Sequence, residues 1–600
     1  MKRSEVENKY KWELTHVLAS DEEWEKLFAA LKTDMPAISA YMGKLGNKDD
    51  LLSCFKERDK LGLSLEKLYG YAHMKSDEDT KNDTYKGFRD RAYGLYVGFM
   101  SAASYITPEL TALPEDVLKG FIADADFSDY DYQLSEVVRQ KAHILSDKEE
   151  RLLAMSADFA EQFYNVFNMI DNADVKFKDV KNEKGEKVKL SHGVYSVLLQ
   201  SGDRRVRADA FKSMYAFFKG HVNTIAANYT GYVKKNLFYA QARGYKSSLE
   251  FFTDNDNVPA EVYKKLVGEV GKATPSVHEY VSRRNEIIGK AEEAKTGKPY
   301  RIHMYDMYTP LVPGAEITLS YEEAYNLVLE ALKPMGEEYI NLLKEAYAGG
   351  WIDVAETENK RGGAYCSGLS RPHPFVLLNY QKTTHDVFTI AHEMGHALHS
   401  WYSQKTQPVA KSDYAIFVAE VASTVNEVLL LKHLIKVYEN NADVKRYLLS
   451  YYMDMFRTTI FRQTMFAEFE LWAHEAAERG EPLTPESLNK RYYELNKRYY
   501  GKGVIHDKDI AFEWSRIPHF YMGFYVYKYA TGLTSAVCIA EDILSRGKPA
   551  VERYVGFLSS GGCASPYEIL KRAGVDLMTD RPYEIAMGSF KEALRAFAAR

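Results

Sequence analysis

The stretch Thr383–Tyr402, TTHDVFTIAHEMGHALHSWY, decides how this chain is read. Its opening Thr and Asp residues suit a helix start, and the apolar residues behind them recur at three- and four-residue spacing. The spacing predicts one continuous helix. Residues four apart on a helix lie one turn above each other, so His392 and His396 can aim two imidazoles at a single ion. Glu393 then sits beside the coordination position that is left open, where it can take a proton from water. This is the H-E-x-x-H pattern of a hydrolytic zinc site. Gly395, between the ligands, costs a helix about 1 kcal/mol relative to Ala, which predicts the close approach of another backbone.

A zinc ion that hydrolyses needs three protein ligands and a free fourth position. Continuation as H-E-x-x-H-x-x-G-x-x-H is excluded, because His399 stands where the glycine belongs and Tyr402 where the third histidine belongs. The alternative is a glutamate from a later helix. Ala415–Tyr438, AIFVAEVASTVNEVLLLKHLIKVY, is strongly helical and offers Glu420 and Glu427, two turns apart on one face among apolar neighbours. A carboxylate there without a cation would be expensive. Glu420 is preferred as the ligand, with Glu427 supporting a ligand from behind and Thr424 a further supporting candidate. His385 and His399 share the first helix and are read as structural residues or as supports behind the ligands. A purely structural zinc would need a fourth protein ligand, and none stands at a convincing spacing.

Upstream, Gly362–Tyr380 reads as extended: three glycines punctuate it, Pro372 and Pro374 break any helix, and Phe375–Leu378 reads as a strand. It predicts a small β region beside the zinc helix, with one edge that pairs with a bound peptide by strand addition. Gly362 and Gly363 would permit close approach, and Tyr365 is a candidate substrate contact. Elsewhere amphipathic helix dominates, so the fold class is mainly α. Ser20 and Glu23 look like a capping box ahead of Trp24 and Leu27. Val175, Phe177, Gly185, Val188 and Leu190 suggest a β-hairpin near a lobe boundary. Two lobes are expected: residues 1–200, a helical N-terminal lobe, and 201–600, the catalytic domain.

With 46% hydrophobic and 27% charged residues in 600, the chain has globular composition. A net charge of -6, from 78 basic and 84 acidic residues, gives no reason to expect nucleic acid or an anionic membrane as partner. Met1–Trp12 is charged and lacks the apolar core of a signal peptide, and no run of eighteen apolar residues occurs, so a cytoplasmic location is expected. Four scattered cysteines without a C-x-x-C pair argue against both a disulfide framework and a thiolate zinc site.

Several stretches together resemble the oligoendopeptidase F family of thimet-oligopeptidase-like zinc peptidases: KRGGAYCSG (Lys360–Gly368), TIAHEMGHALH (Thr389–His399), AEVASTVNE (Ala419–Glu427), IPHFYMGFYVYKYATG (Ile517–Gly532), FLSSGG from Phe557, and KYKWEL (Lys9–Leu14). The resemblance implies a two-lobed, bowl-like helical fold with a deep channel and one Zn2+ ion at its floor. It implies an endopeptidase of short unstructured peptides, with Glu420 as the third ligand. An exopeptidase or dipeptidyl carboxypeptidase on the same fold is the alternative. It also implies that His519 and nearby tyrosines bind substrate and donate to the oxyanion, with Tyr527 and Tyr525 ranked ahead of Tyr521. Whether the chain is a monomer or a homo-oligomer is left open.

Overall fold

The computed structural model describes residues 1–370 and 372–598. Helices dominate it, with five short strands in two sheets among the described residues. The chain forms two compact units, each assembled from three separate stretches. The first comprises Met1–Ile144, Ile317–His433 and Ile539–Val575; the second comprises Leu145–Glu316, Leu434–Cys538 and Asp576–Arg600. These units do not follow a single cut at residue 200.

In the first unit, helices Asp21–Asp34, Lys48–Glu78 and Asp83–Ala103 pack around an aromatic core. Trp24 is fully buried, stacks on Phe88 at 4.0 Å and donates its indole N–H to the Leu68 carbonyl. Ser20 caps the first of these helices by accepting from Glu23 N, while Glu23 reaches back to Ala19 N. The expected box is therefore shifted by one donor. The same core takes in Leu369, Phe375 and Leu377, so the small sheet is rooted in the N-terminal helices.

That sheet joins β3 (Ile352–Asp353), β4 (Tyr365–Ser367) and β5 (Phe375–Leu377) in the order β3-β5-β4. β5 is central and fully buried, runs parallel to β3, and pairs antiparallel with β4 in the register Tyr365↔Leu377, Cys366↔Val376, Ser367↔Phe375. β4 is the edge. Lys360 pins the approach to it: its buried Nζ meets Asp353 Oδ1 at 2.6 Å and donates to the carbonyls of Ala355 and Leu378, while Arg3 takes the other Asp353 oxygen. A buried lysine holds its charge only with such partners.

In the second unit, the hairpin is shorter than its pattern predicts. β1 (Val180–Lys181) pairs with β2 (Lys187–Val188) across a turn whose Gly185 has φ +81°. Val175 and Phe177 lie before the strand, where Phe177 packs edge-on against His192 and Phe217 instead of alternating in a ladder.

Candidate active site

The H-E-x-x-H segment forms a single helix, Thr384–Thr406, capped by Thr383 in a reciprocal box with Asp386. The second predicted helix runs Ile416–Val437. They touch at Gly395, where an added Cβ would stand 2.6 Å from Ser423 Cα and 2.8 Å from the Ala422 carbonyl oxygen. Only glycine lets the two backbones come this close. Asn426 fastens the contact, donating to the Ala391 carbonyl at 3.1 Å and accepting from Tyr339 OH at 2.9 Å.

This crossing brings three donor atoms together. His392 Nε2 lies 3.2 Å from His396 Nε2, and Glu420 Oε2 lies 3.5 and 3.6 Å from the two nitrogens. Tetrahedral zinc with bonds of about 2.0–2.1 Å needs ligand atoms about 3.3 Å apart, so the set fits such an ion without rearrangement. Glu420 is not embedded as its apolar neighbours suggest: its side chain is 48% exposed. Ser423 Oγ donates to its Oε2 at 3.1 Å, a support for which Thr424 was the sequence candidate. Glu427 bonds the far nitrogen of His392, Nδ1, at 2.5 Å. That bond fixes the tautomer that leaves Nε2 free to ligate.

Electrostatics follow from this packing. Burial works to lower the His392 pKa, but the Glu427 hydrogen bond and the surrounding carboxylates overturn it and raise it to about 9. His396, with its Nε2 3.6 Å away, is the main cause that holds Glu420 down to about 2. Glu393 is 7% exposed, and burial pushes its carboxyl up against the pull of His392 and His396. A raised carboxylate is a better proton acceptor near neutrality. His399 is fully removed from this chemistry, stacked on Tyr414 at 3.6 Å and driven by burial down to about 3, whereas His385 is exposed.

A cavity of about 640 Å³ opens over the trio. His392, His396, Ser400 and Gln404, one face of the first helix, form one wall; Ala364, Tyr365, Cys366 and Gly368 of the β4 segment form another. Gly363 needs its left-handed φ of +85°, and Asn379 holds the turn by donating to the carbonyls of Arg361 and Gly363. Neither Gly362 nor Gly363 has any atom within 4 Å of an added Cβ, so both face open space. Tyr365 reaches the cavity, but its hydroxyl is committed to Asp77 at 2.8 Å.

The histidine and tyrosines of Ile517–Gly532 belong to the second unit. His519 Nε2 meets Tyr529 OH at 3.2 Å, and Tyr525 packs edge-on against Tyr529 at 5.5 Å. Tyr527 is fully buried against Tyr263, and Tyr521 is buried against Phe167 with its hydroxyl accepting from Asn228. Burial removes Tyr527 and Tyr521 from reach of a ligand, leaving His519, Tyr525 and Tyr529 as the accessible group. Tyr527, ranked high from sequence, faces the core, because alternation along a loop does not say which tyrosine is buried.

Comparison with known proteins gives the family. Residues 197–589 match the model of peptidase family M3, and residues 109–177 match that of the oligopeptidase F N-terminal region. The chain is 42% identical to oligopeptidase PepF of Bacillus subtilis over 99% of its own length and 87% of the relative's. A solved structure from Chlamydophila abortus, 33% identical, superposes with a TM-score of 0.94 over 100% of this chain and 99% of the other. Oligoendopeptidase F from Enterococcus faecium, 34% identical, superposes with a TM-score of 0.71 over 96% and 98%. The chain therefore belongs to peptidase family M3, in its oligoendopeptidase F branch, and is a metallopeptidase.

Proposed function

We propose that this peptidase is a zinc endopeptidase that cuts internal bonds of short, unstructured oligopeptides in the cytoplasm, with no nucleic-acid or membrane partner. The convergence of His392, His396 and Glu420 at ligand spacing, with Glu393 beside them, carries the reading. These three residues would hold the ion, and Glu427 would orient His392 behind it. When bound, zinc supplies Lewis-acid chemistry, polarising a carbonyl and making water nucleophilic near neutral pH.

The protein's own groups do the rest. The free edge of β4 pairs with the peptide backbone and lays it along the cavity wall. Glu393 takes the proton from the attacking water and delivers it to the leaving amine nitrogen. Donation to the oxyanion by His519 and a nearby tyrosine is carried over from the family resemblance alone. Replacing Glu393 with Gln should leave the metal content unchanged and lower kcat by about a thousandfold or more. Wild-type turnover of a quenched oligopeptide by that variant would overturn the assignment. Mass spectrometry of products from one defined peptide separates internal cleavage from stepwise removal of terminal residues.

A further inference from the structure

The cavity over the three candidate ligands continues along the helix that carries two of them, and its far end holds an acid that the chemistry above does not use. Ser400 and Gln404 stand one and two turns beyond His396 on the same helix face, so the lining extends about 12 Å past that ligand. Gly368 meets the helix there: an added Cβ would stand 2.7 Å from Ser400 Oγ, and Gln404 donates to the Gly368 carbonyl at 2.6 Å. Ser412, Asp413 and Tyr414 complete the lining, with Tyr414 OH 2.9 Å from Ser400 Oγ. Among the described residues no hydrogen bond, ion pair or cationic charge engages the Asp413 carboxylate. Protein crowds it, and that desolvation pushes its carboxyl up although solvent still reaches it.

Lys411, two residues earlier, does not serve as its partner, since its Nζ lies 2.6 Å from Asp131 Oδ1 and donates to the Ser128 carbonyl. One group that feels Asp413 is a second acid. Glu66, which accepts from Ser370 N–H at 2.8 Å, is raised first by burial and then further by the Asp413 charge. The backbone that carries Asp413 is nonetheless held firmly. Ser403 Oγ donates to the Ser412 carbonyl, Gly562 N–H donates to the Lys411 carbonyl at 2.8 Å, and an added Cβ on Gly562 would stand 2.6 Å from the Asp413 carbonyl oxygen. Gly561 adopts a left-handed φ of +49°, and a Cβ there would strike the Lys411 carbonyl. The glycines of the FLSSGG stretch thus fix an unneutralised carboxylate at the end of the cavity. Keeping such a charge partly desolvated is costly, and a cation brought by a ligand removes that cost.

We propose that Asp413 is a specificity-determining residue, and that it accepts the cationic side chain of an arginine or lysine in the bound peptide. The inference rests on the peptidase reading above, and every residue it uses lies in the first unit. An extended peptide advances about 3.3 Å per residue, so a span of about 12 Å places the recognised residue within about four positions of the cleaved bond. Ile416 and Ala419 line the same cavity and offer apolar surface to the stem of either side chain, while its charged head goes to the carboxylate.

The test uses the metal-loaded enzyme and pairs of N-acetylated peptides that differ only in arginine against its neutral isostere citrulline, the pair being moved one position at a time along the sequence. At the favoured position arginine should show about tenfold higher kcat/KM than citrulline, the amount expected from one charge-assisted contact. In Asp413→Asn that ratio should collapse towards one, and in Asp413→Lys the same position should favour glutamate. Titration of both peptides into metal-loaded Glu393→Gln protein reads the ratio as binding. Absence of hydrolysis by the wild type, which would sink the peptidase reading, is thereby told apart from absence of discrimination, which would sink this one. Equal handling of arginine and citrulline at every position overturns the proposal, as does an arginine preference that survives in folded Asp413→Asn. A preference that appears only when the acetyl group is left off would assign the carboxylate to the terminal ammonium and overturn it too.

Discussion

A methyl group on Gly395 has nowhere to go, since the atoms it meets, Ser423 Cα and the Ala422 carbonyl, are backbone of the neighbouring helix. Gly395→Ala should therefore destabilise by about 1–3 kcal/mol despite the better helix propensity of alanine, because separating the helices costs more than propensity returns. Differential scanning calorimetry reads it as a lowered Tm, and an unchanged or raised Tm would refute the close crossing. Glu427 makes a second case at this scale. Its carboxylate holds His392 Nδ1, so Glu427→Ala should weaken metal binding about 10–100-fold, measured by competition with a chromophoric chelator. His392 and His396 were legible from sequence because a four-residue helical spacing is a local fact. Ser423 and Asn426 were not: the bond from Asn426 goes to Ala391, 35 residues away, and no periodicity announces such a partner.

The turn before helix Tyr527–Arg546 shows what an element needs from its surroundings. Gly523 and Phe524 both have left-handed φ, +50° and +52°, and an added Cβ on Gly523 would strike the Phe252 ring. Phe524 N–H donates at 2.7 Å to Glu470, which is fully buried and which burial raises to about 8. The acid is thus held neutral in the fold while its unfolded counterpart ionises near 4.5. The folded state binds more protons in that window, so this contribution to stability is complete below about pH 4.5 and is lost as pH rises through about 8. Glu470→Gln keeps the acceptor for Phe524 but removes the titration. Its Tm should exceed that of wild type by a few °C at pH 8 and converge with it near pH 5. Parallel Tm profiles across that range would show that Glu470 is ionised in the fold. Element type was readable for the two metal helices, whose periodicity is long and sustained. It was not readable for the hairpin, where Phe177 alternates like a strand residue but is drawn into a cluster with His192 and Phe217.

At the scale of the whole molecule, a length of 600 residues points to more than one unit, but a linear reading places boundaries as cuts in the sequence. Here each unit is sewn from three stretches, and the core of the first joins Trp24, Phe55 and Phe127 from the N-terminal helices to Leu369, Phe375 and Leu377 beside the metal cavity. β4 inherits its position from that core. Its Tyr365 is tied to Asp77, and Arg3 supports the Asp353 that neutralises Lys360. A fragment of residues 201–600 keeps every candidate metal ligand and still lacks the helices on which the sheet rests. Removing them exposes Phe375 and Leu377, now fully buried, and leaves Lys360 and Asp353 without Arg3. The fragment should therefore bind metal weakly, unfold without a cooperative transition and show no peptidase activity, whereas residues 1–144 supplied in trans should restore part of each. Calorimetry and metal analysis of the purified fragment decide it. A cooperative, metal-replete and active 201–600 fragment would mean that the N-terminal helices are an accessory lobe, and that the metal site needs nothing from the core they form.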